Sequence, residues 1–299
     1  MTSSSINNTN RLVLGTAQFG MNYGVANIHG KPDQKMVNAI IDRALKNNIC
    51  EFDTAQAYGV SESVLGEAIA NQNLKGSVRI ISKVSLELNN ITKSALQDTI
   101  FNSIRNLQVK QLYGLMLHRE ELLELWDNGL ENVLSGFVKN GLVRHLGVSV
   151  YTPQKALQAL NCKNLSLIQI PSNILDNRFF DAGVFEKADR LNKTIYVRSV
   201  FLQGLVLMKI LPENMAFASD YHNKVVLLAE ELDISVCELS LWYVREAFPK
   251  AKIVIGVDSL AQLQKNIDYW TKHTLKIDVP AINKKIGKVP TQVINPALW

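Results

Sequence analysis

Short apolar runs alternate with longer amphipathic segments along almost the whole chain. The runs at 12–14, 50–53, 79–84, 112–117, 143–150, 166–170, 194–200 and 252–255 read as eight strands. Between them apolar residues recur at helical spacing. In 33–48, Met36, Ile40 and Ala44 fall on one stripe with Val37, Ile41 and Leu45 beside it. Further helices are predicted over 61–71, 92–107, 120–139, 153–160, 182–191 and 259–271, with an extended pair over 221–248. Strands alternating with helices of this length imply parallel pairing through right-handed crossovers, and eight such units close most naturally into a (β/α)8 TIM barrel. No Pro/Ser/Gly-rich linker divides the chain, so 1–299 reads as one domain. Three stretches fall outside the repeat: a polar extension over 1–10, a long connection over 204–220, and a Pro-containing tail over 278–299 that reads as irregular.

In such a barrel the working groups sit beyond the carboxyl ends of the strands. The second strand runs into Phe52-Asp53-Thr54-Ala55-Gln56-Ala57-Tyr58-Gly59, the third ends at Ser82-Lys83 and the fourth at Leu117-His118. Asp53, Tyr58, Lys83 and His118 thus bring an anion, a proton donor, a cation and an imidazole to three successive strand ends. Reduction of a carbonyl needs a hydride and a proton for the forming alkoxide. A tyrosine with an ordinary pKa near 10 can give that proton, and a neighbouring ammonium is expected to lower its pKa while a carboxylate holds the ammonium in place. A neutral histidine can orient the carbonyl oxygen. Each residue also has a plainer reading: a barrel-end ion pair for Asp53 and Lys83, a half-buried aromatic for Tyr58, a polar side chain under a loop for His118. His145, inside a strand pattern, reads as structural, and Trp126, at helical spacing with Leu122, Leu130 and Val133, as packing. Gly15, Gly20 and Gly24 do not make the GxGxxG of a Rossmann-type fold.

The segment DTAQAYG with Ser61-Glu62-Ser63-Val64-Leu65-Gly66 downstream resembles the aldo-keto reductases. So do the opening Gly15-Thr16-Ala17-Gln18-Phe19-Gly20, the Gly147-Val148-Ser149 after the fifth strand and Gln169-Ile170-Pro171-Ser172-Asn173 after the sixth. The resemblance runs from about Leu12 to Ile267. It implies a barrel that binds a nicotinamide cofactor in extended form, with Asp53, Tyr58, Lys83 and His118 as the catalytic tetrad. It also assigns cofactor contacts to Gly15, Thr16 and Asp53. Ser149 and Gln169 match the carboxamide-binding positions, although Val150 stands where the family usually has Asn. Ser199, Phe201, Gln203 and Gly204 match the pyrophosphate loop, and Asn266 an adenine contact. Arg198 stands where many relatives place a ring stacked on the nicotinamide. Gly256 and Gln262 replace the Lys and Arg that many relatives use for the 2′-phosphate; Lys265, one turn on, offers a replacement charge, which tips the expectation toward NADPH with NADH also accepted. GTAQFGMNYG and RSVFLQGL resemble sequences that accompany sugar metabolism, which implies a sugar-like carbonyl. A cofactor-sensing regulatory subunit of the same fold, and a barrel lyase or isomerase with a phosphate site, stay open as alternatives.

Composition narrows the remaining classes. Hydrophobic residues are 47% and charged residues 20% of 299, enough for a large core in an ordinary folded protein. Thirty-two basic against 27 acidic residues give +5, scattered apart from Lys284, Lys285 and Lys288, with no nucleic-acid module. Cys50, Cys162 and Cys237 form no CxxC pair, which argues against a disulfide scaffold or zinc site and for a reducing compartment. No stretch approaches a membrane span and MTSSSINNTN lacks the marks of a secretory leader, so a cytoplasmic protein with a small-molecule carbonyl substrate, no metal and no membrane or nucleic-acid partner is expected. The oligomeric state is not legible.

Overall fold

The computed structural model describes residues 8–74, 76–85, 92–272 and 277–299; most of the predicted polar extension, residues 1–7, lies outside them. Eight parallel strands close into a barrel in sequence order: β1 (Leu12–Gly15), β2 (Glu51–Asp53), β3 (Arg79–Val84), β4 (Leu112–Leu117), β5 (Val143–Ser149), β6 (Leu165–Pro171), β7 (Thr194–Arg198) and β8 (Lys252–Gly256). β1 pairs with both β2 and β8, closing the ring. Strand side chains alternate in direction, and the registers sort them into layers. Val13, Ile81, Met116, Leu167, Tyr196 and Val254 form a core of their own, separate from the larger cluster that includes Phe52, Val148, Ile168, Val197 and Ile255. Two residues further along their strands than Ile81, Leu167 and Tyr196 come Lys83, Gln169 and Arg198. The period of 2 that fills the barrel with apolar side chains therefore delivers polar ones to its carboxyl end. At the opposite end Glu51 is buried and held by the Tyr196 hydroxyl at 2.5 Å, Arg79 at 3.1 Å and Lys252 at 3.3 Å.

Helices start where a short polar side chain caps the first amides: Asp33 accepts from Met36 N, Thr152 from Lys155 N, Ser235 from Glu238 N and Ser259 from Gln262 N. Three expectations are corrected. The predicted helix over 120–139 is a 3₁₀ turn (Glu120–Leu125) and a helix (Glu131–Lys139) joined across a kink, because Gly129 takes φ 107°. β7 stops at Arg198 rather than Val200, since Ser199 turns to φ 61°. The tail is not irregular: Asp278 caps the helix Val279–Ile286, in which Pro280 occupies the first turn, where its missing N–H costs nothing. Ile282 and Ile286 are buried, and Asn283 Oδ1 accepts from the Tyr243 hydroxyl at 2.7 Å. Trp126 is buried as packing, and His145 lies edge-on to Tyr113.

Candidate active site

A buried charge pair anchors the carboxyl end of the barrel. Lys83, with no exposed surface, donates to both oxygens of Asp53 at 2.8 and 2.7 Å and to the Thr54 carbonyl at 3.0 Å. Gln169 donates to Asp53 Oδ1 at 2.7 Å, and Ser149 Oγ donates to Gln169 Oε1 at 3.5 Å. Side chains from β3 and β6 thus converge on one carboxylate of β2, with β5 backing Gln169. Burial pulls the Lys83 ammonium below its ordinary pKa, and Asp53 pushes back.

Tyr58 lies in the loop after β2, its ring centre 5.0 Å from Lys83 Nζ and 5.6 Å edge-on from the His118 ring. The motif residues around it are spent on placing that loop. Ser61 donates its hydroxyl to the Thr16 carbonyl at 2.7 Å and its amide to the Tyr58 carbonyl at 3.1 Å. Ser82 donates to buried Glu62 at 2.6 Å. Gly20 packs so tightly that a Cβ there would come within 1.8 Å of the Tyr58 carbonyl oxygen.

The electrostatics set protonation states. Burial raises the Tyr58 phenol well above its ordinary pKa, and Asp53 raises it further, while Arg198 pulls it down. The direction is opposite to the expectation that Lys83 would lower it. The reason is that burial of the phenol outweighs the charges around it, and the nearby Asp53 carboxylate adds to the rise. His118 is depressed to about 4 by burial, then by Lys83 and Arg198. Near neutral pH the pair is therefore a phenol and an uncharged imidazole, and the buried Nδ1 of His118 has no hydrogen-bond partner.

A cavity of about 500 Å³ opens beside this cluster. β1 and β2 contribute Gly15, Thr16 and Asp53, and Tyr58 stands at its wall. Arg198, Ser199, Phe201, Gln203 and Gly204 come from β7 and the turn after it; Gly256, Gln262 and Asn266 come from β8 and the helix Leu260–Thr271. Lys83, Ser149 and Gln169 stand behind Asp53 rather than on the cavity surface, and His118 adjoins Tyr58.

The residue reading missed the loop after β1, which supplies Tyr23, Gly24, Ala26 and Asn27 to the wall. That loop clasps the segment after β7: Val25 N donates to the Gln203 carbonyl at 3.0 Å, and Gly204, at φ 94°, packs where a Cβ would lie 2.6 Å from Ala26 Cβ. The paired glycines of GMNYG were the available signal. The long connection over 204–220 brings Lys209 to the wall as well. Asp258, also missed, lines the far end with Lys265, and its buried Oδ1 has no partner. Arg198 lines the cavity rather than facing outward. Its guanidinium carbon sits 4.4 Å from the Tyr151 ring centre, Nη1 donates to Ser199 Oγ at 3.3 Å, and the buried Nη2 has no partner.

Among the described residues no group of His, Cys, Asp or Glu is placed to hold a metal, and no helix is long and apolar enough to cross a membrane. Cys237 lines the cavity with its thiol pushed up to about 11 by burial, so it is not a reactive thiolate.

Comparison with known proteins agrees with this architecture. The chain is 24% identical over 222 residues to the aldo-keto reductase YhdN of Bacillus subtilis, a match covering 71% of this chain and 65% of that protein. It is 33% identical over 132 residues to the chloroplastic pyridoxal reductase of Arabidopsis thaliana, covering 38% and 35%. The aldo-keto reductase AKR11C1 from Bacillus halodurans, solved in its holo form, superposes with a TM-score of 0.76 at 22% identity, covering 95% of each chain. The profile of the Aldo/keto reductase family matches residues 11–287, and with the closed barrel and its polar carboxyl end this places the chain in the aldo/keto reductase family.

Proposed function

We propose that this chain is an oxidoreductase that reduces an aldehyde or ketone, with Tyr58 giving the proton. The observation that carries the reading is the pairing of a protonated phenol at the cavity wall with a neutral imidazole whose ring lies 5.6 Å behind it and whose buried Nδ1 has no hydrogen-bond partner. Tyr58 Oη–H supplies a proton to the forming alkoxide oxygen, and His118 donates a ring N–H that orients the same oxygen. Asp53 and Lys83 hold the Tyr58 loop and exclude water beneath it.

The residues present fit a nicotinamide dinucleotide. The wall runs from the Tyr58 end through the turn after β7, where Ser199, Leu202, Gln203 and Gly204 all take positive φ, to Gln262 and Asn266. Backbone turned this way presents amides suited to phosphate oxygens. Gly15, Thr16, Ser199, Phe201, Gln203, Gly204, Gly256, Gln262 and Asn266 would hold the cofactor, which when bound supplies the hydride; Ser149 and Gln169 support it through Asp53. Lys209 and Lys265 favour NADPH, whereas the Asp258 carboxylate opposes the extra phosphate, so NADPH is favoured only weakly over NADH. A dissociation constant for NADH more than tenfold below that for NADPH would contradict that preference. The three cysteines are free, in keeping with a reducing, cytoplasmic setting. The test is a panel of aldehydes and keto sugars followed by loss of reduced-cofactor absorbance. Steady turnover of some members is the expected result. Tight cofactor binding without turnover of any carbonyl would overturn the reading.

A further inference from the structure

We propose that the substrate carries a carboxylate as well as its carbonyl, and that Arg198 receives it. The inference rests on the reductase reading for the carbonyl, but its own support lies in the charges at the catalytic end. Asp53 is the carboxylate acting on Tyr58, and both its oxygens accept from Lys83, with Gln169 adding a third bond. His118 and Tyr58 are neutral near pH 7, so the second cation, Arg198, is left without a counter-charge among the described residues.

The rest of its environment is built to hold the guanidinium rather than to neutralise it. One face lies on Tyr151, Nη1 is occupied by the neutral hydroxyl of Ser199, and Nη2 is buried without an acceptor at a residue lining the cavity. A desolvated donor of this kind is costly until an acceptor arrives, and a carboxylate matches a guanidinium edge better than a neutral oxygen does. Tyr23, Tyr58 and Arg198 line the same cavity, so an anion held at Arg198 shares that space with the proton donor.

The experiment compares 4-formylbenzoate with its methyl ester, two aldehydes of similar reactivity that differ in charge. Wild type is expected to show kcat/KM at least tenfold higher for the acid. In Arg198→Gln the acid-to-ester ratio falls to about one whatever the absolute rates, and Arg198→Lys retains part of the preference. Calorimetry with 4-(hydroxymethyl)benzoate in the presence of oxidised cofactor gives a second readout, with binding weakened at least tenfold in Arg198→Gln. A wild-type ratio near one overturns the proposal even if no variant folds. So does a variant in which cofactor affinity drops while the ratio is unchanged, which would assign Arg198 to the cofactor. If calorimetry shows Arg198-dependent carboxylate binding but neither aldehyde turns over, the reductase reading fails and the carboxylate site stands.

Discussion

Lys83 shows how a single side chain serves both fold and site. It is wholly buried and makes two bonds to a carboxylate that is itself 4% exposed. Replacing it with Met leaves Asp53 charged, buried and short of its main partner, which costs about 3–5 kcal/mol. Lys83→Met is expected to melt well below wild type and to lose turnover; an unchanged melting temperature would show that the pair is not structural. His118 offers a pH test. Its folded pKa of about 4 lies below the ordinary 6.5, so between those values the unfolded chain binds more protons and stability falls as pH drops through that window. An NMR titration of the ring should give a midpoint near 4, and one at or above 6.5 would place a charged imidazole beside Tyr58. The clustering of Asp53, Tyr58, Lys83 and His118 was legible because each lies at or just beyond the carboxyl end of a strand in a fixed local pattern. The partnering of Arg198 with Tyr151 was not, since a strand-end residue and a loop residue 47 positions away share no spacing rule, and the raised phenol pKa required knowing how deeply Tyr58 is buried.

At the scale of elements, strands and most helices followed from apolar periodicity, and the misses have local causes. Gly129 broke one predicted helix through a positive φ that a hydrophobic pattern does not register, and Pro280 disguised a helix by standing in its first turn. The clasp between the loops after β1 and β7 has no periodicity to announce it, and the paired glycines of GMNYG mark a turn without naming its partner. The clasp carries a prediction. Gly204→Ala meets Ala26 Cβ at 2.6 Å and a backbone at φ 94°, so the clasp must open. Cofactor dissociation constants are expected to rise about tenfold or more, roughly 1.4 kcal/mol, with the circular dichroism spectrum unchanged. Wild-type affinity in that variant would remove the clasp from cofactor binding.

The whole molecule is a closed ring of strands inside a ring of helices, and the barrel was legible because eight strand and helix units in alternation leave little other topology. The C-terminal segment belongs to that shell: Ile282, Ile286, Val293 and Ile294 are all buried. At about 1.5–3 kcal/mol for each buried aliphatic side chain, a chain ending before Asp278 is expected to lose a large part of its stability. A truncated protein melting with the full chain would mean the tail covers nothing of consequence. What unites the scales is a polar layer held on an apolar barrel; on the proposed reading it positions one phenol to give up a proton, and Tyr58→Phe removes that proton while keeping the ring. The decisive measurement is aldehyde-dependent oxidation of reduced cofactor by wild type and Tyr58→Phe, each with its cofactor dissociation constant. The account predicts a fall in kcat of about 100-fold or more with cofactor affinity nearly unchanged; a variant that keeps most of its turnover would contradict it.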